Sequence, residues 1–108
     1  MPKSRSRFNK LTDDELERLA LLSEELGECI QAIGKIMRHG YESTHPDGGL
    51  TNREILEIEC GDVGNALHLL CENGDLSMGA MERRAFDKRT DVIKYMHCDE
   101  NRRTPCKK

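Results

Sequence analysis

The chain has 108 residues, of which 36% are hydrophobic, 4% aromatic and 34% charged, and its formal net charge is −3. This length predicts a single domain, and the thin core predicts that burial is completed in a homo-dimer or homo-tetramer. The negative charge argues against a general nucleic-acid binder, and no apolar run is long enough to cross a membrane.

Three helical patterns predict an all-α fold class, an antiparallel helical bundle of three long helices completed by oligomerisation. The segments before and after these patterns are charged and show no apolar periodicity. We therefore expect a basic flexible arm at residues 1–11, the helical domain at residues 12–98 and a flexible tail at residues 99–108.

The first two helices each begin at a predicted capping box, in which a threonine and a glutamate three residues later satisfy free N–H groups of the first turn. The two boxes are Thr12 with Glu15 and Thr51 with Glu54. They predict helices over about residues 12–38 and 51–71, and Gly40 is expected to end the first. Asp75 or Ser77 can cap the third helix. The intervening loop, residues 39–51, is rich in turn formers and leaves room for a short helical turn.

Two pairs of acidic residues organise the chain. The members of each pair stand three residues apart, so they point to the same side of a helix. The pairs lie in two lines with the same spacing of four, three and four residues, namely Leu21, Glu25, Glu28, Ala32 and Ile55, Glu59, Asp62, Ala66. We expect these acidic lines to face each other across one site.

An apolar line runs beside each acidic line and is expected to belong to the core. The two apolar lines are Leu22, Leu26, Cys29, Ile33 and Leu56, Cys60, Val63, Leu67. The chain has five cysteines in all, an odd number, and those within helical patterns do not form a loop-rich disulfide framework. Cys98 and Cys106 lack a second ligand pair at zinc spacing. Because the N-terminus also shows no hydrophobic export signal, we expect a cytoplasmic protein with reduced thiols.

Four converging carboxylates would need a cation, because buried like charges cannot all stay ionised. No lysine or arginine stands four residues from Glu25 or Glu28 to neutralise them. Ligands that are all oxygen select Mg²⁺, with Mn²⁺ as the second choice, over Zn²⁺ or Cu²⁺. A di-iron bundle would require Glu-x-x-His on two helices, whereas this chain has Glu-x-x-Glu and Glu-x-x-Asp.

The first long helix carries the pattern E-E-x-x-E at Glu24, Glu25 and Glu28, and the next long helix carries E-x-x-D at Glu59 and Asp62. This order of acids resembles the signature of the MazG-type all-α nucleoside triphosphate pyrophosphohydrolases. This family includes dCTP pyrophosphatases and dimeric dUTPases. The similarity covers about residues 12–97. The 30 residues between Glu28 and Glu59 are slightly more than is usual in the family.

The resemblance implies a Mg²⁺-dependent hydrolase that cleaves a (d)NTP between its α and β phosphates, giving a (d)NMP and pyrophosphate. It implies that the metal ligands are Glu25, Glu28, Glu59 and Asp62. Glu24 and Glu25 are the expected catalytic residues, with Glu24 assisting the attacking water.

A triphosphate also needs cations from the protein. The resemblance implies a lysine late in the last helix, and Lys88 occupies that position, while Asp91 stands where the family has an arginine. Arg84 lies near and is a substitute. The other candidates for contact with the substrate are Lys35, Arg38 and Asn65. We expect the loop to hold the base through His39 or Tyr41.

Two further classes of protein stay open. One is a non-catalytic helical module whose acids bind a structural ion or a basic partner. The other is a DNA-associated regulator that uses the basic termini, which a flat dependence of DNA binding on salt would exclude.

Overall fold

The computed structural model describes residues 8–96, which form three helices and no strand. The helices are α1 at Asp13–His39, α2 at Asn52–Glu72 and α3 at Met78–Ile93. This confirms the all-α prediction over the described residues, and none of these helices combines the length and apolarity needed to cross a membrane. The described residues divide into two compact units, residues 8–76 with α1 and α2, and residues 77–96 with α3. Most of the predicted arm and tail lies outside the described residues.

Both predicted capping boxes are confirmed. The Thr12 hydroxyl accepts a hydrogen bond from the Glu15 amide at 3.1 Å, and the Glu15 carboxylate accepts one from the Thr12 amide at 2.9 Å. Thr51 and Glu54 make the same two bonds at 3.1 and 3.0 Å. α1 ends as predicted at Gly40, whose φ of +89° lies in the region that favours glycine.

Of the two residues proposed to cap α3, Ser77 does so, because its hydroxyl accepts a hydrogen bond from the Ala80 amide at 3.1 Å. Asp75 instead accepts two hydrogen bonds from the Arg18 guanidinium, at 2.5 and 3.0 Å. Both side chains of this bidentate pair are largely buried. The pair ties the first turns of α1 to the segment that follows α2.

α1 and α2 pack against each other along the acidic lines, and Cys29 and Cys60 of the apolar lines also meet across this contact. Ala32 and Ala66, which close the two acidic lines, are only 4% and 0% exposed. Leu26 and Ile33 on the first apolar line are both 45% exposed, and Cys60 on the second is exposed. These three residues are therefore not buried within the single chain. The most buried positions of this contact are thus occupied by small alanine side chains.

The loop between α1 and α2 is extended. It does not contain the short helical turn that the sequence allowed. Thr44 and Thr51 form an isolated antiparallel bridge, and Gly48 has a positive φ of +89° that suits a turn. Asn52, the first residue of α2, is buried and donates its side-chain amide to the Gly40 carbonyl at 3.1 Å. This bond fixes the end of α1 against the start of α2.

Candidate metal centre

The four predicted acids converge between α1 and α2. One carboxylate oxygen from each of Glu25, Glu28, Glu59 and Asp62 lies within 4.8 Å of the others, and we call these residues the acidic cluster. The carboxyl group of Glu25 lies close to that of Asp62, and the carboxyl group of Glu28 lies close to that of Glu59. Later residues of α1 therefore face earlier residues of α2, so the two helices are antiparallel. The predicted convergence is confirmed, while the binding of a metal stays a prediction.

The electrostatics of the acidic cluster disfavour full ionisation. The pKa of Glu25 is raised, first by burial and then by the neighbouring charges of Asp62, Glu28 and Glu24. The pKa of Glu59 is also raised, first by the hydrogen bond with Glu28 and then by burial. A hydrogen bond between two carboxyl groups exists only while one of them keeps a proton. Without a cation, the cluster therefore retains protons above the usual range for glutamate.

Two oxygen atoms of the acidic cluster are buried without a hydrogen-bond partner among the described residues, Oε2 of Glu25 and Oε2 of Glu59. A buried acceptor that receives no hydrogen bond destabilises a fold. Carboxylate oxygens of this kind are ligands for divalent cations, and a set of four carboxylates suits hard ions such as Mg²⁺ and Mn²⁺. The residues present thus fit the predicted metal.

The remaining predicted site residues are placed as follows. Glu24 is exposed on α1 beside Glu25, and its charge contributes to the raised pKa of Glu25. Asn65 is exposed on α2, one turn after Asp62. Arg84 and Lys88 are exposed on α3, one turn apart and in the second compact unit. The roles of these residues in catalysis and substrate binding stay predictions.

A cavity of about 500 Å³ lies where α1 ends and α2 begins, and we call it the cationic pocket. Its lining includes Lys35, Arg38 and His39 from the end of α1, together with loop residues and the first turn of α2. Within residues 8–96, the ion pairs found do not include Lys35 or Arg38. Two predicted substrate-binding residues therefore share one cavity with a predicted stacking residue.

The second predicted stacking residue, Tyr41, is engaged elsewhere. The Arg53 guanidinium lies over its ring, 4.3 Å from the ring centroid, and is held there by an ion pair with Glu42 at 2.7 Å. One face of the Tyr41 ring is thus covered, and Tyr41 does not line the cationic pocket. Of the two residues predicted to stack on a base, His39 is the one that reaches this cavity.

A second cavity, of about 550 Å³, lies towards the other end of the two helices, and we call it the acidic pocket. Its lining includes Glu17 and Glu24 from α1 and Leu69 and Asn73 at the end of α2. Arg18 also lines it, but this guanidinium is already paired with Asp75. The acidic pocket was not anticipated from the sequence, because Glu17 fits the pattern of a solvated helix face.

Sequence reasoning also missed a contact between two thiols. The sulfur atoms of Cys29 and Cys60 lie 3.9 Å apart, and burial is the first cause that raises the pKa of Cys29. The pattern that could have revealed this contact is a repeated dipeptide, because each cysteine directly follows an acid of the cluster, Glu28 or Glu59.

No protein-family model, curated protein or solved structure matches the chain.

Proposed function

We propose that this chain is a Mg²⁺-dependent nucleotide pyrophosphohydrolase that cleaves a (d)NTP to a (d)NMP and pyrophosphate. The observation that carries the proposal is the convergence of four carboxylates between antiparallel helices, two of which have buried oxygen atoms without a hydrogen-bond partner. The type of reaction is inferred from the spacing of the acids, which resembles that of the MazG-type enzymes. Water adds across the α–β phosphoanhydride bond, and the bond breaks.

Each group of residues has a separate role in this proposal. The acidic cluster would hold Mg²⁺, or Mn²⁺ in its place, and a bound ion would supply charge against the triphosphate and a more acidic water. Glu24 is exposed beside the cluster and is free of a tight pair with Glu59 or Asp62, so it can accept a proton from the attacking water. The cations and the amide proposed to contact the substrate are Lys35, Arg38, Asn65, Arg84 and Lys88.

We further propose that the helices complete a bundle in a homo-dimer or homo-tetramer. Ile30 and Met37 on α1 are 69% and 81% exposed, and the buried core of the described residues is small. A second copy would cover such apolar side chains. The free thiols of Cys29, Cys60 and Cys71 support a reducing, cytoplasmic setting.

The test is incubation of the protein with a panel of NTPs and dNTPs in Mg²⁺, followed by measurement of monophosphate and pyrophosphate. We expect both products in equal amounts from at least one nucleotide. Glu28→Gln should remove turnover, and Glu57→Gln, on the exposed surface of α2, is the matched control that should retain it. Absence of product from the whole panel with Mg²⁺ and with Mn²⁺ would favour the non-catalytic helical module instead.

A further inference from the structure

Two cavities flank the acidic cluster along the α1 and α2 pair. On α1, Glu24 of the acidic pocket precedes the cluster and Lys35 of the cationic pocket follows it. On α2 the order is reversed, as antiparallel helices require, since Ile55 lines the cationic pocket and Leu69 lines the acidic pocket. The cluster therefore stands between two cavities of different character.

The acidic pocket, the acidic cluster and the cationic pocket also share one side of α1. Glu24, Glu28, Gln31, Lys35 and Arg38 follow one another at intervals of four, three, four and three residues, which keeps them on one helix face. Lys35 stands seven residues after Glu28, which corresponds to about 10 Å along the helix axis. An extended ligand held at the cluster can reach a long side chain at this distance.

The charges of the two cavities are opposite. The lining of the cationic pocket contains Lys35 and Arg38 and no carboxylate. The amide N–H groups of Asn52 and Arg53 at the start of α2 are already donated to loop carbonyls at 2.9 Å each, so Lys35 and Arg38 are the groups of this lining that offer a fixed positive charge to an anion. In the acidic pocket the carboxylates of Glu17 and Glu24 remain, because the Arg18 charge is neutralised by Asp75.

We propose that the nucleotide lies along this face in one direction, with its β and γ phosphates in the cationic pocket and its nucleoside half in the acidic pocket. This inference rests on the proposed function, which supplies the substrate class. The triphosphate is attracted by Lys35 and Arg38 and repelled by the carboxylates at the other end. The nucleoside is uncharged and offers hydroxyl and amino donors, for which carboxylates and the Asn73 amide are suitable partners. The α–β bond then lies at the acidic cluster, and pyrophosphate leaves towards Lys35.

The test measures binding of inorganic pyrophosphate and of nucleoside monophosphates separately, by titration calorimetry in Mg²⁺. In the double variant Lys35→Gln with Arg38→Gln, we expect pyrophosphate affinity to fall about tenfold or more, because hydrogen bonds from charged donors are lost. Monophosphate affinity should be unchanged. The charge-matched control is Lys10→Gln with Arg83→Gln, two residues that line neither pocket, and it should bind pyrophosphate as the unaltered protein does.

Three results would overturn this direction of binding: no affinity of the unaltered protein for pyrophosphate, no loss in the Lys35 and Arg38 variant, or a loss confined to monophosphates. A Mg²⁺-induced rise in Tm that is equal in both proteins checks that the variant is folded and its cluster intact. Turnover by the unaltered protein is scored separately. Pyrophosphate binding that depends on Lys35 without any turnover would contradict the proposed function alone, and turnover with unaltered pyrophosphate binding would contradict this inference alone.

Discussion

The sulfur atoms of Cys29 and Cys60 lie 3.9 Å apart across the α1 and α2 contact, each immediately after a glutamate of the acidic cluster. A disulfide needs about 2 Å between sulfurs, so a small approach of the two helices is enough to form one. The acidic cluster and an oxidisable contact therefore share the same turns of both helices.

Exposure to glutathione disulfide should join Cys29 to Cys60, with two equivalents of glutathione released per bond. Cross-linking of α1 to α2 should raise Tm by about 10 °C, since it restricts the unfolded chain. The reaction should be faster at alkaline pH, because burial raises the pKa of the Cys29 thiol and the thiolate is the attacking species. Peptide mass spectrometry checks the bond. Cys60→Ser should prevent it and Cys71→Ser should not, and alkylation of both thiols after oxidation would contradict the prediction.

Glu59→Gln should lower turnover at least about a hundredfold, because the amide removes one of the four carboxylates proposed to hold Mg²⁺. The metal-free variant should be as stable as the unaltered protein or more stable, because a repulsive charge with a raised pKa is removed. Turnover on the best nucleotide and Tm by circular dichroism are the two measurements. Glu57→Gln on the same helix is the control for a change of net charge. Full activity in the Glu59 variant would contradict the proposed site.

The contribution of the acidic cluster to the stability of the metal-free protein should decrease as pH rises. Glu25 and Glu59 have raised pKa values in the folded protein, so the folded state binds more protons than the unfolded state between the unfolded and folded pKa. Stability is then highest below the unfolded pKa and falls as pH passes through the folded pKa. Mg²⁺ competes with these protons, so its effect on Tm should be larger at pH 8 than at pH 5. Melting curves with and without Mg²⁺ at both pH values check this. An effect of equal size at both would contradict it.

Asp75→Asn should lower Tm by several degrees at neutral pH, because the bidentate pair with Arg18 is largely buried. Arg18 holds the pKa of Asp75 below its usual value through this hydrogen bond. The stability that it contributes is present above the unfolded pKa and is lost as pH falls through the folded pKa. The difference in Tm between variant and unaltered protein should therefore disappear in acid. Asp87→Asn, exposed on α3, is the control, and a difference that persists in acid would point to a packing defect instead.

Local signals in the sequence predicted the helices well. The boxes at Thr12 and Thr51 depend on side chains three residues apart, and such contacts are decided within one turn. The convergence of the acidic cluster was also predictable, because two helices carry acids at the same spacing and in the positions of a buried face.

Contacts between residues that are distant in the sequence were harder to predict. The apolar lines are typical of a core in size and hydropathy, but Leu26 and Ile33 are exposed in the single chain while the neighbouring Ala32 is buried. The partner of Asp75 is Arg18, 57 residues earlier in the chain, and no local pattern distinguishes this pairing from a helix cap. The cationic pocket depends on how the loop folds against both helices, which periodicity does not describe.

The α1 and α2 pair is fastened at both ends, by the Asn52 side chain on the Gly40 carbonyl at one end and by Arg18 on Asp75 at the other. The acidic cluster lies between these two contacts. The repulsion among its carboxylates is therefore opposed on both sides and does not separate the helices. Folding therefore brings the four carboxylates together on its own. The proposed Mg²⁺ would have little chain entropy to overcome, and its affinity would be decided mainly by the protons it must displace.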